Sequence, residues 1–402
     1  MTATLTTAPW DRARALARDT ARGPLPAVAR DLPAALGHTL AEPLTALTDL
    51  PAFATSAMDG WAVAGPGPWR LGGPGVLAGA PAGPLDHGTA VPVATGAQLP
   101  PGATAVLRRE HGGPTAPDGL LHPSLPGPLA PGHDIRPQGQ ECRRGELLLP
   151  AGTVVTPAVL GLAAAAGYDR LAVHRRPTVE LLLLGDELLE SGLPGRGRVR
   201  DALGPLLPPW LRGAGAELVA VRRLVDDPWL LTEALHHSPA DVVVTTGSTA
   251  AGPADFLHRA LASAGARLLV DSVAVRPGHP MLLAELPAAA GRPCRHLVGL
   301  PGNPLAAVAG TVTLALPLLA RLAGQPAPPR RATTTADLPG HPRDTRLQPV
   351  RLVGHAAAPL PFDGPAMLRG LALADALAVV PPGGRAAGDV VELLDVPGRT
   401  VY

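Results

Sequence analysis

A chain of 402 residues exceeds the roughly 100–200 residues of one domain, so two to four domains are expected, and 46% hydrophobic content supplies their cores despite 50 Pro and 47 Gly. A net charge of +1 and a pI near 8.0 exclude the basic field with which a nucleic-acid binder neutralises phosphates, leaving small molecules as the expected partners. Cys142 and Cys294, the only cysteines, supply neither a disulfide framework nor a zinc cluster and fit a reducing cytoplasm.

In chain order, residues 1–22 mix Arg and Asp with no continuous apolar core, so no signal peptide is expected there. Residues 46–132 set short apolar pieces, at 91–94 and 105–108, between closely spaced Gly-Pro turns, which predicts a small β-barrel or sandwich. Residues 26–45 and 133–173 read as a linker domain with a strand at 146–149 and a helix at 157–167. Residues 178–323 alternate apolar runs with amphipathic stretches, the pattern of an open, mostly parallel α/β sheet covered on both faces. Its strands are expected at 178–184, 217–224, 241–246, 267–275 and 296–300, and its helices at 203–213, 227–236, 254–264 and 304–322. The α/β domain so drawn takes in 1–25 and 174–325.

The apolar run 305–320 falls short of the roughly 20 residues of a membrane span and contains Pro317, so a buried helix is expected. A Pro-rich segment at 325–330 reads as a linker, and 330–402 as a C-terminal β domain with strands at 346–353, 376–380 and 389–394. There is no internal repeat of fixed period. Aromatics are only 2%, so Leu, Val and Ala must fill the cores. The chain holds no Lys, one Asn (Asn303) and one Ile (Ile135), a drift that makes a missing Lys or Asn uninformative and the surviving Asn303 more telling.

Ligands of open α/β sheets bind outside the carboxyl ends of the strands, so the segments that follow the strands matter most. After 241–246 comes Gly247-Ser248-Thr249-Ala250-Ala251-Gly252, whose backbone N–H groups could face an anion or make a plain βα turn. After 178–184 comes Gly185-Asp186-Glu187, two carboxylates that could hold Mg²⁺ or cap a helix. After 267–275 comes Arg276-Pro277-Gly278-His279-Pro280, a rigid loop with two potential cations. After 296–300 comes Pro301-Gly302-Asn303-Pro304, where two prolines fix the backbone, Gly302 admits a ligand and Asn303 offers donor and acceptor at a helix start. Elsewhere, Asp59 in Ser56-Ala57-Met58-Asp59-Gly60-Trp61-Ala62 reads on physical grounds as an Asx-turn.

Taken together these segments resemble the molybdopterin molybdotransferase family of molybdenum-insertion enzymes, which includes the C-terminal domain of gephyrin. Residues 56–62 match the family's Ser-Ala-Met-Asp-Gly-Tyr-Ala apart from Trp61. Thr95-Gly96-Ala97, Pro100, Gly102, Ala105-Val106, Glu110, Asp134-Ile135-Arg136, Gly139, Gly185-Asp186-Glu187-Leu188, Asp226-Asp227-Pro228, Asp255, Pro277-Gly278, Pro280 and 299–304 follow in the family's order, over nearly the whole chain.

The resemblance implies insertion of molybdate into adenylylated molybdopterin with release of AMP, assisted by Mg²⁺. It also implies a cytoplasmic homodimer in which the segment around Asp59 helps form the site on the partner's α/β domain, and contact with molybdopterin adenylyltransferase. Asp59, Glu141, Asp227 and Asp255 are then expected among the catalytic groups, and Asp186 and Glu187 as Mg²⁺ ligands. Thr95, Gly96, Glu110, Arg136, Gly247, Ser248, Gly252, Arg276, Gly278, His279, Pro301, Gly302, Asn303 and Pro304 are expected to bind the pterin substrate.

The sequence also departs from the family. Thr-Gly-Asp-Glu becomes Leu184-Gly185-Asp186-Glu187, Asp-(Ser/Thr)-Asn becomes Asp201-Ala202-Leu203, and the Ser of Gly-Gly-Val-Ser-Val-Gly becomes Ala250. A Glu-Asp pair becomes Gln140-Glu141, and Lys-Pro-Gly-Lys-Pro becomes Arg276-Pro277-Gly278-His279-Pro280, in which Arg keeps the charge while His279 is cationic only if its pKa is raised. Two readings stay open: an enzyme that still inserts molybdenum, and a catalytically impaired paralogue acting as a molybdopterin-binding carrier or accessory protein.

Overall fold

The computed structural model describes residues 5–113, 119–124, 127–249, 256–288, 295–326 and 329–396; Gly252 and Asp255 lie outside them. The strand Thr178–Leu184 has six of its seven residues buried, and Val242–Thr246 and Arg295–Leu300 are buried throughout. Such near-continuous apolar runs suit central strands covered on both faces. Along Thr178–Leu184, Leu181 and Leu183 pack with the helices Leu203–Gly213 and Trp10–Asp19 and with residues 304–323. Leu182 and Leu184 pack on the other face against Pro228–His237 and Phe256–Ser263. The period of two in a strand thus assigns alternate leucines to two cores.

The strand order is 217–224, 178–184, 242–246, 295–300, 282–286, 267–276. Leu282–Leu286 is antiparallel to both neighbours and the others run parallel. Sequence patterning did not anticipate Leu282–Leu286, a five-residue run between a proline loop and the next strand with no helix to announce a crossover. Leu5–Pro9 adds in parallel to 267–276. From Thr178–Leu184 the chain moves one way to 217–224 and the other way to 242–246, which puts a topological switch point between the carboxyl ends of two neighbouring strands.

Residues 304–323 form the expected buried helix, interrupted by a π turn at Thr311–Ala315 just before Pro317. Pro317 lacks an N–H and its ring crowds the preceding turn, and the wider turn accommodates it. The guanidinium of Arg14 donates to the Val312 carbonyl, and the Trp10 indole N–H donates to Thr313 Oγ1 at 2.9 Å. By length and composition this 20-residue helix could cross a membrane, but 83% of its apolar window is buried inside the protein, which marks it as a core helix.

Three further units complete the architecture. In the linker region, Ala27–Asp31 pairs with Arg170–His174, and the helix Pro157–Ala165 is capped by Thr156, whose hydroxyl accepts from Val159 N–H at 3.3 Å. A five-stranded barrel-like sheet has the order 105–108, 60–63, 89–93, 69–71, 120–121, and a bridge between Gly112 and Pro123 links its two edges. The C-terminal strands 330–334, 345–353, 356–359, 376–380 and 390–395 each pair with two others, closing a small barrel. That barrel is stitched to the α/β sheet where Val275 and Arg276 pair with Thr345 and Arg346.

Candidate functional site at the carboxyl edge of the sheet

Because 178–184, 242–246, 295–300 and 267–276 all point the same way, the four loops singled out in the sequence emerge at one edge. Three of them touch. Gly247 N–H donates to the Leu300 carbonyl at 2.9 Å, Gly247 takes φ +88°, and a Cβ on it would lie 3.2 Å from the Leu184 carbonyl. A Cβ on Gly302 would stand 3.7 Å from the Gly247 Cα. Ser248 also adopts the left-handed region, at φ 53°, unusual for a residue with a side chain. The two glycine loops therefore approach through their backbones, and side chains are kept out of the gap.

The loop after 267–276 meets the loop after 295–300 across a cavity of 260 Å³ lined by Arg276, Gly278, His279, Pro301 and Asn303, with Arg346, Asp363 and Pro365 contributed by the C-terminal barrel. Gly278 is at φ +111°, and a Cβ there would press within 3.0 Å of the Ala306 carbonyl, so only glycine lets the loop lie against the following helix. Val273 carbonyl contacts His279 Nδ1 at 2.8 Å; a carbonyl only accepts, so Nδ1 carries the proton and Nε2 of a neutral ring is an acceptor. Arg276 Nε donates to Asp344 at 2.8 Å, and Arg346 pairs with Asp363. Both cations therefore carry a carboxylate partner.

Asn303 sits at the N-cap position of the helix that begins at Pro304, yet its side chain makes no cap hydrogen bond. The first free N–H groups of that helix, on Leu305 and Ala306, donate instead to the Pro365 carbonyl at 2.9 and 3.2 Å. The exposed amide of Asn303 is therefore unspent, while the helix terminus read from the sequence as a ligand donor is already engaged.

At the switch point, Asp186 Oδ1 accepts from Asp226 N–H at 3.4 Å. The carboxyl of Asp226 is pushed above its usual range, first by burial and then by the charges of Asp186 and Glu187. Asp227 does something different: it caps the next helix, accepting from the N–H groups of Trp229 at 2.7 Å and Leu230 at 3.2 Å. Among the described residues no three His, Cys, Asp or Glu side chains converge as a metal cage. Mg²⁺ commonly binds through one or two carboxylates plus substrate phosphates, so Asp186 and Glu187 fit a site completed by a phosphorylated ligand.

The remaining candidates lie on the barrel-like sheet and in the segments beside it. The Asp59 carboxylate accepts from Thr95 N–H at 2.7 Å and from Thr95 Oγ1 at 2.8 Å. These two bonds hold its pKa below the usual carboxylate range. The expected local Asx-turn is thus replaced by a link across 36 residues. Gly96 N–H donates to the Ser56 carbonyl at 2.9 Å, and Arg136 pairs in register with Thr55. Glu110 lies 3.9 Å from Arg108, and Arg108 in turn is held by Asp134. Glu141 is exposed, and its N–H donates to the Leu50 carbonyl at 2.8 Å. Among the described residues, no hydrogen bond or cavity wall joins Asp59 to the Arg276–Asn303 cavity within one chain.

Sequence reasoning assigned no site role to Asp226, Asp344, Arg346 and Asp363. Asp226 stood next to the more prominent Asp227-Pro228, and the other three lie in a region whose only legible signal was strand patterning. Two of the departures from the family motifs, Leu184 and Leu203, are absorbed by packing. Leu184 is buried with Leu231 and Leu257, Leu203 joins the opposite core, and Asp201 accepts from Leu203 and Gly204 N–H, both at 2.9 Å.

Comparison with known proteins covers the same ground. Residues 8–167 match the model of the MoeA N-terminal region (domain I and II), 180–321 that of a probable molybdopterin binding domain, and 331–396 that of the MoeA C-terminal region (domain IV). Molybdopterin molybdenumtransferase 2 of Mycobacterium tuberculosis is 33% identical over 311 residues, 74% of this chain and 73% of that protein. The molybdopterin molybdenumtransferase of Bacillus subtilis is 30% identical over 312 residues, 74% and 71% of the two chains. A crystal structure of a molybdopterin biosynthesis MoeA protein from Pyrococcus horikoshii shares the fold with a TM-score of 0.77 at 24% identity, over 98% of this chain and 100% of that one. With every domain matched in order and two relatives at or above 30% identity over most of their length, this chain belongs to the molybdopterin molybdenumtransferases, transferases of molybdenum cofactor biosynthesis.

Proposed function

We propose that this chain inserts molybdate into adenylylated molybdopterin and releases AMP, at a site completed by a second copy of itself. The observation that carries the reading is the cavity in which Arg276, His279 and Asn303 meet Arg346 at the carboxyl edge of the sheet, beside the paired glycine loops. Hydrolysis of the anhydride between the pterin phosphate and AMP, in which water forms the new P–O bond and gives its proton to solvent, builds negative charge on the leaving oxygen, and fixed guanidinium and amide donors stabilise it. Asn303 orients the ligand through its unspent amide, Gly247 and Gly302 admit phosphates close to the backbone, and Arg276 and Arg346 exchange their carboxylate partners for the incoming anion. Asp186 and Glu187 would hold Mg²⁺, which supplies charge neutralisation at the phosphates. Asp59, kept ionised by Thr95, reaches this cavity from the partner subunit together with Gly96, Glu110, Arg136 and Glu141. Asp227 acts by fixing the helix beside Asp226. Ser248 and Gly252 are assigned to phosphate binding and Asp255 to the catalytic groups, and Pro301 and Pro304 hold Asn303 in place.

One observation favours the carrier reading: the cations of the cavity are already paired with Asp344 and Asp363, and the helix N–H groups with the Pro365 carbonyl. The two readings separate in one experiment. Purified protein, molybdate and Mg²⁺ are added to adenylylated molybdopterin; AMP above a no-protein control supports insertion, whereas saturable binding without AMP assigns a carrier.

A further inference from the structure

At the opposite, amino edge of the sheet a second cavity, of 340 Å³, lies where the linker domain meets the α/β domain; it is lined by Arg30, His38, Arg176, Arg212 and Glu217. Arg30 comes from the strand Ala27–Asp31, Arg212 from the last turn of Leu203–Gly213, and Glu217 opens the edge strand. Arg176 sits in the connection that enters the α/β domain. Its Nη2 donates to the Leu36 carbonyl at 2.9 Å. A Cβ on Gly37, which is at φ +74°, would lie 2.9 Å from that nitrogen, so the glycine makes the seat. Among the described residues the Nε of the same guanidinium is buried with no hydrogen-bond partner, and Arg30 and Arg212 make no ion pair. His38 contributes a ring whose Nδ1 is occupied by the His174 carbonyl at 3.0 Å. Burial above all holds it below its ordinary pKa, and the charges of Arg176 and Arg30 act in the same direction.

Three guanidinium groups from three elements thus face one space with a single carboxylate, Glu217, among them. Like charges so placed repel unless an anion joins them, and guanidinium forks match the oxygens of a phosphoryl group. We propose that this is an anion site, separate from the Arg276–Asn303 cavity, which takes a tetrahedral phosphate-class oxyanion and ties the linker domain to the α/β domain. Its volume falls in the range of roughly 300–1,000 Å³ usual for small-molecule sites, so it has room for a phosphate monoester as well as a bare ion.

The test is calorimetric titration of the full chain with orthophosphate and, separately, with AMP. Three proteins are compared: the unaltered chain, the Arg30→Gln/Arg212→Gln double variant, and Arg276→Gln as a control in the other cavity. Both double-variant positions are exposed, and thermal melting checks that the fold is kept. The expected result is binding that weakens at least tenfold in the double variant and persists in Arg276→Gln. Tighter binding of AMP than of orthophosphate would identify a nucleotide phosphate as the occupant, and equal binding a bare oxyanion; either supports the site. A double variant that binds both probes as the unaltered chain does, or an unaltered chain that binds neither, overturns it. Because no turnover is read, the outcome stands whichever way the AMP-release experiment falls.

Discussion

Asp59 is an exposed carboxylate held by two hydrogen bonds from Thr95. Its sequence setting suggested an Asx-turn, and only the fold brings Thr95 to its carboxylate, because a contact across 36 residues leaves no local trace. Replacing an exposed carboxylate outside any core changes stability little, so Asp59→Ala should shift the melting temperature by less than about 2 °C while AMP formation falls at least tenfold. A large loss of melting temperature would instead mark a structural residue. Thr95 supplies both bonds that lower the Asp59 pKa. In Thr95→Val the side-chain bond is gone, the carboxyl gains protons at a higher pH, and the acidic limb of the pH–rate profile should move upward; an unmoved limb would separate Asp59 ionisation from the rate. Asn303 was legible for a different reason. As the single Asn of the chain it stood out, and its amide is indeed unspent, although the helix donors behind it are not free.

At the scale of elements, apolar period and length placed 178–184, 217–224 and the helix 203–213 at their observed bounds, since buried parallel strands and an amphipathic helix carry strong patterns. The π turn at Thr311–Ala315 and the short antiparallel strand Leu282–Leu286 were not legible, because both depend on neighbours supplied by distant sequence. Two element-level consequences can be measured. Gly278→Ala forces a side chain into φ +111° against the Ala306 carbonyl. It should cost about 1–3 kcal/mol in urea unfolding and weaken substrate binding together with stability. Asp241, at the base of Val242–Thr246, accepts from Arg175 at 2.7 Å and from Thr178 N–H at 2.8 Å. Burial opposes its ionisation, but these bonds prevail and its pKa is lowered. A carboxyl whose folded pKa is depressed stabilises above its unfolded value, near 3.9, and loses that contribution as pH falls through the folded value. Asp241→Asn should therefore be less stable than the unaltered chain by about 1–3 kcal/mol at pH 7. The gap should close below about pH 4, as melting curves across pH would show.

At the scale of the whole molecule, one parallel pairing at Val275–Arg276 and the Arg276–Asp344 bond fix the C-terminal barrel over the cavity, so that Arg346, Asp363 and Pro365 become walls of a site otherwise built by the α/β domain. Sequence patterning separated these domains but gave no sign of their docking, which rests on a two-residue ladder, the Arg276–Asp344 ion pair and the packing of Leu347, Leu371, Leu377 and Leu394 into the α/β core. The barrel-like sheet carries Asp59 and Thr95 with no link to that cavity among the described residues of one chain, and a second copy supplies them in the proposal made here. The direct measurement mixes two variants, Asp59→Ala and Asn303→Ala, each with AMP release reduced at least tenfold, and lets their subunits exchange. If the site is shared across a two-fold dimer, half of the randomly assorted dimers are mixed and hold one intact site of two, and AMP release should recover to about a quarter of the unaltered rate. A mixture no more active than the average of its two components would contradict the shared site.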